Sequence, residues 1–363
     1  MQVSAHIKKL TPYKPGKPIN ETKREYGIEQ VFKLASNENP YSPSKLVLEA
    51  IQKAALEINR YPDPVCYDLK KAYAQHYQVP EENLCFGNGS NELIDLLIRI
   101  YCEPGEKILA GDMSFIAYKI CAQAARVDTI ESSMGQDLKI NLSDFSEKIA
   151  QHHPRLVFIA NPNNPTGTYV NRSEVDQFLQ RHGDDEEMLI VFDEAYFEFV
   201  QALDYPNALE YLTQYKNVVV MRTMSKVFGL AGLRLGALAA PLEVIDLVNR
   251  VRNPFNVNQL AQVAAVAALQ DRDYVNQAVR NNAEGREQYY QFFASKGLKY
   301  WPSQANFVLF DPDQPIHQVN EKLLQQGVVV RPIPGVGKFG GIRLSVGASY
   351  ENHKALAALD EIF

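Results

Sequence analysis

Five short apolar runs punctuate the middle of this chain: "KILA" (107–110), "LVFIA" (156–160), "MLIVF" (188–192), "NVVVM" (217–221) and "LGALAA" (235–240). Runs this short, apolar throughout rather than alternating, describe strands buried on both faces. Helical patterns stand between and before them: "NELIDLLIRIY" (91–101), "SEVDQFLQRH" (173–182) and "NALEYLTQY" (207–215). Strand–helix alternation with right-handed crossovers predicts an α/β domain on a mostly parallel sheet. At 363 residues, 46% of them hydrophobic, the chain can fill that domain and a smaller second one.

The texture changes after about residue 256. An alanine-rich helix, "NQLAQVAAVAALQ" (258–270), leads into a charged helical stretch over 271–296. "NFVLF" (306–310), "IHQVNEKLLQQ" (316–326), "VVVR" (328–331) and "IRLSVG" (342–347) follow, the makings of a compact α+β module. The predicted division is an N-terminal arm over 1–36, a large domain over 37–256 and a small domain over 257–363.

Several function classes are disfavoured at once. The net charge is −6 and no lysine/arginine run forms a dense patch, so nucleic acid and anionic membrane are poor partners. The N-terminal stretch lacks the apolar core of a signal peptide, and no apolar run reaches the roughly eighteen residues of a membrane span. The four cysteines form no CxxC pair and have no histidines at metal spacing; they read as small hydrophobes of a cytoplasmic protein. No metal site is expected, and "HHPR" (152–155) reads as surface.

In open α/β sheets ligands bind beyond the carboxyl ends of the strands, so the residues that follow each run are the ones to inspect. "LVFIA" is followed by "NPNNPTG" (161–167), "MLIVF" by "DEAY" (193–196) and "NVVVM" by "RTMSK" (222–226). Upstream, "LCF" runs into "GNGSNE" (87–92), which opens a helix. Singly, each has a plain explanation: a turn, a helix cap, a surface lysine, a capped loop. Together they bring an amide, a carboxylate, a lysine and a helix N-terminus to one edge of one sheet. Those groups meet the needs of pyridoxal phosphate: an amine for covalent attachment, an acid for the pyridine nitrogen, donors for the ring oxygen, an anion site for the phosphate.

The motifs "LTPYKPGK", "KLASNENPYSPS", "RYPDP", "GNGSNELIDLLIR", "NPNNPTG", "FDEAYFEF", "RTMSKVFGLAGLRLG" and "GIRLSVG" run in order over nearly the whole chain. In them the sequence resembles the aminotransferases of pyridoxal-phosphate fold type I, most of all the histidinol-phosphate aminotransferases. The resemblance implies a large domain with a mostly parallel seven-stranded sheet, a smaller α+β C-terminal domain, and pyridoxal 5′-phosphate as cofactor. It implies amino transfer between histidinol phosphate or imidazole acetol phosphate and glutamate or 2-oxoglutarate, in histidine biosynthesis. Aromatic amino-acid aminotransferases, and a phosphothreonine-type decarboxylase on the same scaffold, share the motifs and stand as alternatives.

Residue by residue, Lys226 resembles the Schiff-base lysine and Asp193 the partner of the pyridine nitrogen. Asn164 and Tyr196 resemble the donors to the ring oxygen. Ser90, Asn91, Thr223, Ser225 and Arg234 resemble the phosphate cradle. Tyr61 resembles a tyrosine that reaches the neighbouring subunit's cofactor phosphate, which implies a homodimer with shared active sites. Arg343, Arg331, Tyr13 and Asn37 fall at substrate-binding positions. Phe115 stands where relatives often carry a tyrosine against the cofactor ring; it keeps the apolar contact and lacks the hydroxyl. "GVGKFG" (335–340) matches G-x-G-x-x-G in letters alone, since it leads into a strand rather than opening a helix. It reads as a loop ahead of the Arg343 strand.

Overall fold

The strands in chain order are β1 (Phe32–Lys33), β2 (Leu84–Gly87), β3 (Lys107–Gly111), β4 (Asp128–Ser132), β5 (Leu156–Ala160), β6 (Leu189–Asp193), β7 (Val218–Thr223), β8 (Gly236–Ala239), β9 (Lys299–Trp301), β10 (Phe307–Asp311), β11 (Val328–Val329), β12 (Arg331–Ile333) and β13 (Gly341–Ser345). They come from a computed structural model that describes residues 3–12, 16–338 and 340–363. Seven strands form one sheet in the order β2-β8-β7-β6-β5-β3-β4. Every pairing in it is parallel except those made by β8 with β2 and β7.

The apolar runs form strands because both faces of this sheet are covered. Val157, Ile159, Ile190, Phe192, Val218 and Val220 pack into one core beneath it. The alternate residues Phe158, Val191, Val219 and Met221 pack into a second core on the other face, with Leu93, Leu97 and Ile98 of helix Ser90–Tyr101. Period-two alternation thus sends neighbouring residues into different cores, and leaves no polar face to interrupt the runs.

Strand β8 is the antiparallel exception and opens on a glycine for a geometric reason. A Cβ on Gly236 would lie 2.5 Å from the Ser90 amide nitrogen, so the helix end sits directly against the strand. "NALEYLTQY" is not the expected helix but a single turn, Ala208–Tyr211. The start of that turn is capped: Ala208 N–H donates to Glu194 Oε1 at 2.9 Å and Leu209 N–H to the Asn207 side chain at 3.3 Å.

A second sheet, β12-β13-β10-β9, carries the C-terminal module, with its own core of Tyr289, Phe293, Val308, Phe310, Ile342 and Leu344. The apolar face of helix Gln259–Gln270 (Ala261, Ala264, Ala265, Ala268, Leu269) packs into the core of the large sheet. The following helix, Arg272–Ser295, reaches from that core at Ala278 to the module's core at Tyr289 and Phe293. The segment before residue 37 joins the module too: β1 pairs in parallel with β11, and Leu34 lies in the module's core. No helix among the described residues is long and apolar enough to cross a membrane.

One buried ion pair ties two strand ends together. Arg222 on β7 donates to Glu194, just past β6, through Nε at 2.9 Å and Nη2 at 2.6 Å, and both side chains are almost wholly buried. The guanidinium lies between the rings of Phe197 and Tyr77, at 3.5 and 4.6 Å from their centroids. Arg222→Ala strands the Glu194 carboxylate without its counter-charge. It is expected to lower stability by about 3–5 kcal/mol, read from the denaturant midpoint.

Candidate active site

The carboxyl ends of β5, β6 and β7 open into one cleft, closed on its far side by the C-terminal module. Asp193 is the last residue of β6 and is buried. Its Oδ2 accepts from the Tyr118 hydroxyl at 2.7 Å, and its Oδ1 from the Ala195 N–H at 3.2 Å. Burial pushes this carboxyl above its ordinary range, while those two donors pull it back down. Lys226 stands three residues past β7 in a turn closed by the Gly229 N–H on its own carbonyl at 3.0 Å. Its ammonium donates to the Ser36 carbonyl at 3.2 Å. Burial, and then the nearby Arg343 guanidinium, bring its pKa down to about 8.

"NPNNPTG" is a loop that braces itself with its own asparagines. Asn161 both donates to the Val170 carbonyl and accepts from its N–H, at 3.1 and 3.0 Å. Asn163 reaches the Met113 carbonyl at 2.8 Å and Thr166 at 2.9 Å. That leaves Asn164 projecting into the cleft, where its Nδ2 donates to the Tyr196 hydroxyl at 3.2 Å and its Oδ1 accepts from Arg343. Tyr196 Oη also accepts from Asn37 Nδ2 at 3.0 Å. Arg343 is anchored by a 2.6 Å bond to the Ala35 carbonyl.

The opposite end of the cleft is built to receive an anion. Helix Ser90–Tyr101 begins there, with Ser90 and Asn91 on the wall. Arg234 leans over the helix start and donates to Ser225 Oγ at 3.4 Å, while the Ser225 N–H donates to Thr223 Oγ1 at 3.1 Å. A Cβ on Gly89 would lie 2.5 Å from Arg234 Nη2, so only glycine lets the guanidinium approach. Amides at a helix start, two hydroxyls and a guanidinium together suit a phosphate.

Ser90, Asn91, Phe115, Asn164, Asp193, Tyr196, Thr223, Ser225, Lys226, Arg234, Arg331, Arg343 and Asn37 all line this one cleft. Tyr61 is not among them. It is 81% exposed and stacks on Phe255 with ring centroids 4.6 Å apart. Tyr13 lies outside the described residues. Gly335, Gly337 and Gly340 of "GVGKFG" all adopt positive φ, and β13, a strand rather than a helix, begins directly after Gly340.

The model of class I and II aminotransferases matches residues 29–362. The chain belongs to that family. Among proteins similar to this aminotransferase, the histidinol-phosphate aminotransferase of Bdellovibrio bacteriovorus is 47% identical, covering 100% of this chain and 98% of the relative. That of Moorella thermoacetica is 43% identical over 98% of this chain and 92% of the relative. The crystal structure of the Sinorhizobium meliloti histidinol-phosphate aminotransferase with pyridoxal-5′-phosphate superposes with a TM-score of 0.91 at 28% identity, covering 99% of this chain and 97% of that one.

The donor set of this aminotransferase fits pyridoxal phosphate: an amine, a buried acid, an amide and a phenol, and a group of donors suited to a phosphate border one cleft. Sequence reasoning passed over two of its supports. Tyr118, which holds Asp193, sits in the first turn of helix Ala117–Ala124 and is stacked on Phe158 at 4.5 Å, so its sequence context reads as plain core. Ser36 acts on Lys226 through a backbone carbonyl, which no side-chain motif records.

The Lys226 value gives a direct test. In cofactor-free protein, acylation of Lys226 should rise with pH through a midpoint of about 8, well below the usual 10.5 of a lysine. Neutral amine then accumulates above pH 8. Arg343→Gln removes a positive neighbour that favours the neutral form, so it should move the midpoint upward. Peptide mass spectrometry after pulsed labelling reads both.

Proposed function

We propose that this aminotransferase moves an amino group between L-histidinol phosphate and 2-oxoglutarate, giving imidazole acetol phosphate and glutamate, as a step of histidine biosynthesis. The observation that carries the reading is the placement of Lys226 and Asp193 in one cleft with Arg331 and Arg343. Two guanidiniums suit a site that must take a phosphate monoester in one half-reaction and a dicarboxylate in the other. Phe115, Ile116, Ile120 and Ile333 add an apolar wall for the planar imidazole. Full-length similarity to histidinol-phosphate aminotransferases supports the same reading.

Pyridoxal 5′-phosphate, when bound, supplies a ring that withdraws electrons from the substrate carbon as it loses its proton. Ser90, Asn91, Thr223, Ser225 and Arg234 would hold its phosphate, and Phe115 would cover one ring face. Asp193 would face the pyridine nitrogen, Asn164 and Tyr196 the ring oxygen. Lys226, about half neutral at pH 8, would take the proton from the substrate carbon and return it to the acceptor. The double displacement gives ping-pong kinetics.

The assay is a half-reaction panel. Cofactor-loaded protein is mixed in turn with histidinol phosphate, glutamate, phenylalanine, tyrosine and phosphothreonine, and the change in cofactor absorbance is followed. Histidinol phosphate and glutamate should react fastest. A faster response to phenylalanine or tyrosine would move the reading to an aromatic aminotransferase. Lys226→Ala should abolish every response while leaving the thermal midpoint near that of wild type.

The reading includes a homodimer with shared sites. Leu46, Leu48, Leu56, Ile58, Tyr61, Val65 and Tyr67 are all exposed within one stretch, an apolar surface suited to a second copy. Its Tyr61 stacks on Phe255, and nearby Asn258 donates to the carbonyl of Leu233, next to Arg234, so the patch borders the phosphate end of the cleft. Tyr61 of one copy would then serve the other's phosphate cradle. Mixing Tyr61→Ala with Lys226→Ala under subunit exchange should restore activity, to about half of wild type per mixed dimer, because one site then carries neither lesion. No recovery once exchange is demonstrated would place Tyr61 in its own chain's chemistry.

A further inference from the structure

Asn37 occupies a conformation that asparagine tolerates but rarely adopts, φ 55°, and it is 1% exposed. Three contacts from the C-terminal module hold it there. Its N–H donates to Ser345 Oγ at 3.0 Å, its side-chain Oδ1 accepts from the same Ser345 hydroxyl at 2.8 Å, and its carbonyl accepts from Asn306 Nδ2 at 3.0 Å. Ser345 ends β13 two residues after Arg343, and Asn306 immediately precedes β10.

In the structure the Ser345 hydroxyl accepts from the Asn37 backbone N–H and donates its own hydrogen to Oδ1. Nδ2 faces the other way, toward Tyr196 Oη at 3.0 Å. Asn164 Nδ2 approaches the same oxygen at 3.2 Å. With both lone pairs engaged by amide donors, the Tyr196 hydroxyl can serve a further group only by donating its hydrogen.

We propose that Ser345, with Asn306, is a positioning residue that fixes the Asn37 amide so that Tyr196 acts as a hydrogen-bond donor to the ring oxygen of the cofactor. The inference rests on the cofactor reading above. Neither residue touches the cleft; both act through Asn37. Without the Ser345 hydroxyl the amide is free to turn, Oδ1 takes the Tyr196 hydrogen, and the ring oxygen loses a donor. A donor favours the anionic form of that oxygen, so losing it raises the pH at which the bound cofactor's visible band titrates. Since Ser345 and Arg343 share one short strand, the module that clamps the substrate also sets this proton.

The test is a pH titration of the visible band of pyridoxal phosphate bound to wild type, Ser345→Ala, Ser345→Thr and Asn37→Asp. Ser345→Ala should move the midpoint up by about one pH unit, the worth of one hydrogen bond. Its kcat should fall roughly fivefold to tenfold, with KM for glutamate within about twofold because Arg343 keeps its seat. Ser345→Thr keeps the hydroxyl and should restore the wild-type midpoint. Asn37→Asp offers Tyr196 only acceptors and should shift the midpoint in the same direction, which decides the matter even if Ser345→Ala folds poorly. A wild type that titrates, with Ser345→Ala and Asn37→Asp titrating identically to it, overturns this inference alone. A wild type that takes up no pyridoxal phosphate overturns the cofactor reading and this inference with it.

Discussion

The pairing of Glu194 with Arg222 locks the ends of β6 and β7 into one register, and the rest of the cleft is arranged on those ends. Residues along a strand alternate in direction, so the neighbours of the pair point the opposite way. The pair goes down among Tyr77, Phe197 and Tyr205, while Asp193 and Thr223 face the cleft. Glu194 takes two bonds from Arg222 on one oxygen and the Ala208 amide at 2.9 Å on the other. The Tyr205 hydroxyl, 3.3 Å from that second oxygen, gives its one hydrogen to the carbonyl of Asn161, just past β5. Three adjacent strand ends are thereby fastened from beneath, on the side away from the ligand.

The main sheet was legible because burial on both faces writes itself as unbroken apolar runs. Where burial is one-sided or brief, the signal fades. Edge strand β4, "DTIES", is partly exposed, and β9, "KYW", is three residues long; neither rises above its surroundings. The segment 207–215 carried helical spacing yet forms a single turn, whose first amides are capped by the Glu194 carboxylate and the Asn207 side chain. In the site, residues that act with their own side chains at strand ends could be read from motif order. Those that act through a second residue, Tyr118 on Asp193 and Ser345 on Asn37, could not, because a serine in a strand or a tyrosine in a helix has no local mark of its partner.

The N-terminal segment changes the meaning of the two-part layout. Leu34 receives an amide from Ser345 at 2.9 Å and donates its own to Val329 at 2.8 Å, as an added strand would. The next three residues deliver, in turn, a carbonyl to Arg343, a carbonyl to Lys226 and the Asn37 amide to Tyr196. A four-residue stretch therefore connects Arg343, Lys226 and Tyr196. A displacement of the module relative to the large sheet would therefore pull on the Lys226 and Tyr196 contacts together.

Burial acts on Lys226 and Asp193 in opposite senses on the pKa scale but toward the same end, the uncharged form. For Lys226, Arg343 adds to burial by opposing a second positive charge nearby. An anionic group seated on Arg343 offsets that charge, and the affinity of Lys226 for a proton must then rise. With a pKa of about 8 the amine is half neutral at pH 8, and an anion seated on Arg343 would move that midpoint upward. A lysine on a solvated surface would be nearly all ammonium and unable to take a proton. One held only by burial would gain nothing from the substrate. The arginine within Coulombic reach supplies the difference, and the β13 strand that carries it is the strand that fixes Asn37 and, through it, Tyr196.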